Sequence, residues 1–458
     1  MARTSARRST SQVIRTYSAP DRASAERSYL HERQVAATRG WVPRSRRWRT
    51  EGQEQVLTVV FESTELADHL ADEPRPAARS RPLAAEVTTR PLPWSEAQAR
   101  ERDEARLVVE TLDLHCAGEP LRLIRSGFPA VPQAPIEERR AWVREHADHV
   151  RRLALFEPRG HRDMYGAVLL PPDREDADIA VLFMHNQGYS TMCGHGIIAL
   201  TQGLIEEGLY PATTPSTHIR WETPAGLVTA TAEVSVGVGA QPVVRSVGFV
   251  NVPSYLHAEG LVIRPPGLRL FGAAAERKGL AVQLAFGGAY YGIVDVAELG
   301  MRVVPDQVDQ LTRAGAAITE ALRRDHSPAH PTDPTLGFVY GTIIVDSDPR
   351  SAPDGLAGDA TIRNVTVFAE AEVDRSPCGS GTSALLAARH ALGGSGVGDW
   401  IVNAGITGES FLGRIEGTTT LGQHPAVITS VHGHGFVTGR GRFVLDERDA
   451  LGHGFLLR

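Results

Sequence analysis

Cys193-Gly194-His195-Gly196-Ile197-Ile198-Ala199-Leu200 returns 185 residues later as Cys378-Gly379-Ser380-Gly381-Thr382-Ser383-Ala384-Leu385. Both octets read C-G-x-G-x-x-A-L, and two of the three cysteines in the chain open them. A long-range repeat of this kind predicts two similar halves, each presenting a thiol at a turn of small residues. The residues that follow predict a helix in each half, over 194–207 and 379–392, so each cysteine marks a helix start. Two equivalent thiols facing one small molecule suit the movement of protons on and off carbon.

The position of each cysteine has a chemical meaning. A free thiol has a pKa of roughly 8.5, and the thiolate is its reactive form. Unpaired N–H groups and the positive end of the helix dipole favour that form, so lowered thiol pKa values are expected. The same N–H groups, approached closely past glycine, make a carboxylate site. One turn would thus hold a substrate carboxylate and set a thiol beside its Cα. Two opposed turns would set a thiol on each face of that carbon, one taking a proton and the other returning one.

Other readings stand beside this one. Free cysteines are most often small buried hydrophobes, and the pair could also be a redox couple or share a metal with His195. Cys116 lacks a matching copy and reads as structural. Asp374, four residues before Cys378, could hold a substrate ammonium, cap the turn or pair with Arg375. His195 could donate to a substrate or cap its own turn. The polar run from Phe156 to Tyr165 reads as a loop with ion pairs. Phe286, Tyr290, Phe338 and Tyr340 are candidate pocket walls.

The wider chain reads as an ordinary soluble globular protein. At 458 residues, 42% hydrophobic and 22% charged, it can hold two or three domains. No apolar run is long enough for a membrane span. Residues 1–50 hold 12 Arg and 3 acids, about +9, so the remainder carries −6 − 9 = −15, which argues against nucleic-acid binding by the main body. Lys278 is the single lysine and sits in a polar, turn-like stretch, a poor place for a Schiff-base lysine. Three cysteines make no disulfide framework and show no zinc spacing; free thiols fit a reducing, cytoplasmic compartment.

Residues 1–105 are rich in Arg, Ser, Ala and Pro and read as an extension, largely disordered or irregular, with one strand candidate over Val56–Phe61. An Arg- and Ser-rich start also fits a transit peptide, against which stand Asp21, Glu26 and Glu32. From Leu107 the pattern is that of an α+β protein in two lobes. The first is expected over 107–245, completed by a C-terminal strand at about 440–458, and the second over 246–439. Apolar spacing predicts one helix over Ile136–Leu153 behind Pro135, and another over Pro305–Arg324. Strands are expected over Leu107–Leu114, Tyr165–Leu170, Ile179–Met184, Ala281–Phe286, Tyr290–Val296, Phe338–Val345, Ala360–Ala369 and Ala426–Val431, with shorter ones over Gly435–Thr438 and Arg442–Leu445.

Met192-Cys193-Gly194-His195-Gly196 and Asp374-Arg375-Ser376-Pro377-Cys378-Gly379-Ser380-Gly381-Thr382 closely resemble the two signature motifs of the proline racemase superfamily. Asp113-Leu114-His115-Cys116-Ala117-Gly118-Glu119-Pro120 resembles its opening D-x-H-x-x-G-E-P; Phe286 to Tyr291 and Gly435 to Gly439 also fit. The resemblance covers about Leu107 to Arg458. It implies a diaminopimelate epimerase-like fold, two pseudo-symmetric α/β lobes with a curled sheet around a central helix in each, and an active site between them. It implies a cofactor-independent reaction on a small imino acid and, by family habit, a homodimer. By the same resemblance Cys193 and Cys378 are the acid/base thiols, Gly194, His195, Gly379 and Ser380 contact the substrate carboxylate, and Asp374 contacts the ring amine. Ser380 replaces a Thr frequent in the family.

The superfamily includes proline racemases, 4-hydroxyproline 2-epimerases and trans-3-hydroxy-L-proline dehydratases. The stretches Phe156–Gly166 and His185–Cys193 resemble the dehydratase branch, yet typical dehydratases carry Thr where this chain has Cys378. Inversion needs a second acid/base group on the opposite face of Cα, whereas dehydration needs one base and loss of the β-hydroxyl. The expected function is therefore a racemase or epimerase of proline or hydroxyproline, with trans-3-hydroxyproline dehydration as the alternative and a non-catalytic amino-acid-binding or thiol-sensor role as a third.

Overall fold

The computed structural model describes residues 3–9, 12–19, 41–51, 54–63, 107–347 and 361–457. They fall into two compact units, residues 1–108 with two short later segments, and the body from Val109 onward. In the first unit, β1 (Arg3–Ser9), β2 (Gln12–Ala19), β3 (Trp41–Glu51) and β4 (Glu54–Ser63) form an antiparallel sheet in the order β1-β2-β4-β3. The strand expected at Val56–Phe61 thus lies within β4. Its alternate residues Leu57 and Val59 are fully buried, the period-2 signal of a half-buried strand. The partner strands correct the reading of their stretches as extension. Arg- and Ser-rich sequences such as that of β1 carry little apolar alternation, and long-range pairing supplies what local pattern lacks. The rest of the expected extension lies outside the described residues.

The body repeats one topology twice. β5 (Val108–Cys116) pairs antiparallel with β6 (Glu119–Ser126). Helices α1 (Ile136–His146) and α2 (Asp148–Leu155) then cross over to β7 (Tyr165–Leu170), parallel to β6. β8 (Ile179–His185) pairs antiparallel with β7, and after short β9 (Gly188–Tyr189) helix α3 (Gly194–Glu206) leads to β10 (Ser216–Thr223), parallel to β8. β11 (Gly226–Val236) and β12 (Pro242–Val250) continue antiparallel. The second pass runs through β13 (Tyr255–Ile263), a short α4 (Gly272–Arg277), β14 (Leu280–Phe286) and β15 (Tyr290–Asp295). It then crosses by α5 (Val308–Asp325) to β16 (Val339–Asp346), parallel to β15, and turns into antiparallel β17 (Thr361–Phe368). Short β18 (Glu372–Asp374) and α6 (Gly379–Ala391) precede β19 (Trp400–Ala404), which is parallel to β17. β20 (Ser410–Leu421) and β21 (His424–Gly433) follow antiparallel. The two passes meet where β12 pairs antiparallel with β21. The last strand, β22 (Gly435–Val444), returns beside β5 in the first lobe. This is the diaminopimelate epimerase-like arrangement, with the two passes joined, among the described residues, in one continuous 18-stranded sheet.

The central helices explain why the octets are so apolar. α3 is buried from Gly194 through Ile205, and α6 from Gly379 through Ala388. A helix buried on all sides must be apolar all round, and its few polar groups need partners: Thr201 Oγ1 accepts from Trp221 Nε1 at 3.1 Å. One expected helix is two. Ala147 leaves the helical region at φ −122°, ψ 6°, between α1 and α2. The break lets α2 bury Val150, Leu153, Ala154 and Leu155 and direct Arg151 to the carbonyls of His185 and Asn186, at 2.7 and 2.6 Å. The two short strands expected near the C-terminus are one, β22. Among the described residues, no helix is long and apolar enough to cross a membrane.

Candidate active site

Cys193 and Cys378 occupy equivalent places as the residues that cap α3 and α6. Each sulfur accepts a hydrogen bond at 3.3 Å from the backbone N–H three residues on, Gly196 for Cys193 and Gly381 for Cys378. The turns differ in strain. Cys193 is extended, at φ −145°, whereas Cys378 has φ 63°, ψ 108°, a region that non-glycine residues avoid. A strained backbone of this kind clusters at functional sites.

Both cysteines line one buried cavity of about 20 Å³, together with Tyr165, Met192, Gly194, His195, Tyr291, Tyr340, Thr366, Phe368, Asp374, Gly379 and Ser380. All seven residues singled out from the sequence are thus brought together. The helix starts also touch. A Cβ on Gly194 would lie 2.5 Å from Gly379 Cα, and one on Gly379 would lie 2.6 Å from Gly194 Cα. Only glycine at both positions allows this backbone approach. The first N–H groups of a helix have no intrahelical partner, so two donor sets converge where an anion would sit.

The electrostatics correct one expectation. The helix starts were expected to lower the thiol pKa values, but burial outweighs them. Cys193 is held well above the ordinary thiol range by desolvation, with the Gly196 N–H opposing and the charges of Asp374 and Cys378 adding to the rise. Cys378 is pushed up to about 12 by burial and by the Asp374 carboxylate, against the N–H of Gly381 and the hydroxyls of Ser380 and Tyr291. Both groups are therefore strong bases once deprotonated, which suits removal of a weakly acidic Cα proton.

His195 places its two ring nitrogens 3.3 and 3.6 Å from Cys193 Sγ. Burial lowers its pKa to about 3, with a hydrogen bond to the Pro120 carbonyl opposing, so it meets a substrate as neutral imidazole. Asp374 is raised to about 6 by burial, against hydrogen bonds from Ser376; the Ser376 N–H donates to Oδ1 at 2.8 Å. Behind it, buried Glu119 accepts from the Arg375 backbone N–H at 2.7 Å and from its guanidinium at 3.4 Å. This contact ties the β5–β6 turn of the first lobe to the Cys378 turn of the second.

Sequence reasoning missed most of the aromatic lining. Tyr165 and Tyr340 follow equivalent places in the two lobes, each just before a Gly on β7 and β16, and their hydroxyls lie 3.5 Å apart. Of the four candidate walls, Tyr340 lines this cavity. Phe286 and Tyr290 pack instead with Tyr255, and Phe338 is 39% exposed. The signal lay in strand alternation: Tyr290 and Tyr291 are neighbours on β15, so they face opposite sides, and Tyr291 is the one in the site. Cys116 is buried and free, outside the cavity lining.

Residues 111–456 match the model of the family described as proline racemase. The chain belongs to the proline racemase family. It is 40% identical over 352 residues to a 3-hydroxyproline 2-epimerase of Burkholderia multivorans, covering 76% of this chain and 98% of that protein. It is also 40% identical over 350 residues to a trans-3-hydroxy-L-proline dehydratase of Burkholderia cenocepacia, with the same coverage. Among solved structures it resembles a hydroxyproline epimerase from Agrobacterium vitis with bound trans-4-hydroxy-L-proline, at 30% identity and TM-score 0.67, covering 77% of this chain and 96% of that one. This chain is thus an enzyme of the family, and the cavity around Cys193 and Cys378 is its candidate active site.

Proposed function

We propose that this proline racemase family member is a cofactor-independent 2-epimerase of hydroxyproline, with 3-hydroxyproline as its first substrate. The observation that carries the reading is the second thiol: Cys378 caps α6 as Cys193 caps α3, on one cavity. The substrate carboxylate would lie at the paired helix starts, among Gly194, His195, Gly379 and Ser380, and the ring ammonium against Asp374. One cysteine as thiolate takes the Cα proton, leaving electron density delocalised into the carboxylate. The other, as thiol, returns a proton on the opposite face. The free enzyme is left with the two protonation states exchanged and the ring hydroxyl intact. The 3-hydroxyproline preference is supported by the Burkholderia multivorans relative. Free thiols in the reaction fit a reducing, cytoplasmic compartment.

A second reading is dehydration of trans-3-hydroxy-L-proline, favoured by the dehydratase names of relatives at similar identity. Both reactions begin with loss of the Cα proton, and they part at what happens next. Incubation with trans-3-hydroxy-L-proline, trans-4-hydroxy-L-proline and L-proline separates them. The epimerase reading expects 2-epimers with the hydroxyl retained. Pyrroline-2-carboxylate from the 3-hydroxy substrate, with no epimer from any of the three, would overturn it.

A further inference from the structure

Tyr291 is 1% exposed and lines the cavity. Its hydroxyl lies 2.8 Å from Ser380 Oγ and 3.9 Å from Cys378 Sγ, and Ser380 Oγ is itself 3.8 Å from that sulfur. The three groups form a closed triangle of rotatable O–H and S–H donors at one thiol. We propose that Tyr291 is a positioning residue for Cys378, a phenol whose hydroxyl turns with the proton state of that thiol and holds its thiolate form.

The triangle works by exchange of donor roles. With Cys378 protonated, its S–H donates to Tyr291 Oη, and the phenol donates to Ser380. With Cys378 ionised, the phenol O–H turns to sulfur and Ser380 donates to the phenol. No heavy atom has to move, and each hydroxyl keeps a partner in both states, as a buried donor must. The need arises because burial and the facing groups oppose ionisation of this thiol. The Asp374 carboxylate approaches it from β18, and Cys193 faces it from α3. Of the titratable groups around it, Tyr340 stands beside Tyr291 at 5.8 Å between ring centroids, and Tyr165 and His195 stand on the Cys193 side. Tyr291 is thus the phenol within reach of Cys378 sulfur.

This inference rests on the two-thiol reading for its purpose, but its test does not. Tyr291→Phe removes one oxygen and keeps the ring that packs on Tyr340, and thermal unfolding checks that the variant is folded. Alkylation of Cys193 and Cys378 by iodoacetamide at about pH 8 and pH 9, resolved by peptide mass spectrometry, gives a rate for each thiol in one sample. Both thiols titrate above this range, so each rate follows the thiolate fraction. The expected result is alkylation of Cys378 slowed about tenfold at fixed pH, the scale of a lost hydrogen bond to a charged group, with Cys193 within twofold. In parallel kcat should fall about tenfold, with KM within twofold. Rates that stay unchanged, or that fall together, overturn the proposal. Absence of Cα exchange in the wild-type enzyme would overturn the two-thiol reading while leaving the change in Cys378 alkylation interpretable.

Discussion

Gly194 and Gly379 meet backbone to backbone, so that a Cβ on either would fall within 2.6 Å of the other's Cα. The two helix starts are held in contact, and the residue just before each glycine is a cysteine. The backbone positions that carry the two thiols are thereby fixed by main-chain contact, which sets where two-sided proton transfer can take place.

Gly194→Ala and Gly379→Ala are expected to part the helix starts. Overpacking of this kind costs about 1–3 kcal/mol, and a thiol displaced by roughly 1 Å loses on the order of 100-fold in rate. Paired measurements of thermal unfolding and kcat check this. The expected outcome is a folded protein with modest loss of stability and a much larger loss of turnover.

The same contact shows what the sequence could and could not tell. Cys193 and Cys378 were legible because a repeated octet combines a local signal, the helix start, with a chemical one, the thiol. Two buried central helices followed from their apolar composition. Most of the aromatic lining was not legible; of it, Tyr340 alone was among the candidate walls. Tyr165 and Tyr340 come together only when β7 and β16 of different lobes converge, and nothing local in either strand records the other. Glu119 and Arg375 are 256 residues apart, and their pairing is a product of lobe contact. The thiol pKa direction was misjudged because helix N–H groups are visible in sequence and the depth of burial is not.

Cys378→Ser is expected to abolish inversion while leaving Cys193 in place. General acid/base groups contribute roughly 10²–10⁴-fold, and a serine hydroxyl is a far weaker acid than a thiol. Polarimetry should show at least a 100-fold loss of epimerisation. Exchange of the Cα proton with solvent, without inversion, should persist on the Cys193 side and is read by NMR of recovered substrate.

Asp374 makes stability depend on pH. Its folded-state pKa of about 6 lies above the ordinary 3.8. As pH rises the unfolded chain loses this proton first, so stability falls between about pH 4 and pH 6, and the penalty is fully present above that range. The effect is on the order of 3 kcal/mol at neutral pH. Asp374→Asn should flatten this fall in denaturant unfolding measured from pH 4 to 8. The same variant should raise KM severalfold through loss of the ammonium partner.

Glu119 and Arg375 should behave as a coupled pair. Arg375→Ala removes the guanidinium from a buried carboxylate, and breaking one side of a buried pair costs about 3–5 kcal/mol; partial exposure of Arg375, 33% for its side chain, places this case at or below the lower end. Glu119→Gln keeps an acceptor for the Arg375 N–H and removes the ionisable group, whose charged form burial and the Asp374 carboxylate disfavour and Arg375 favours. Arg375→Ala with Glu119→Gln should therefore recover part of the loss in a double-mutant cycle, and additive losses would remove the pairing from the account.

The central claim is inversion at Cα by two thiols. Wild-type enzyme incubated with trans-3-hydroxy-L-proline in deuterated water, followed by proton NMR and chiral separation, tests it most directly. The account predicts the 2-epimer carrying one solvent deuterium at Cα with its hydroxyl intact, formed by the wild type and lost in Cys193→Ser and in Cys378→Ser. Formation of pyrroline-2-carboxylate without epimer, or epimer formation that survives Cys378→Ser at the wild-type rate, would contradict it.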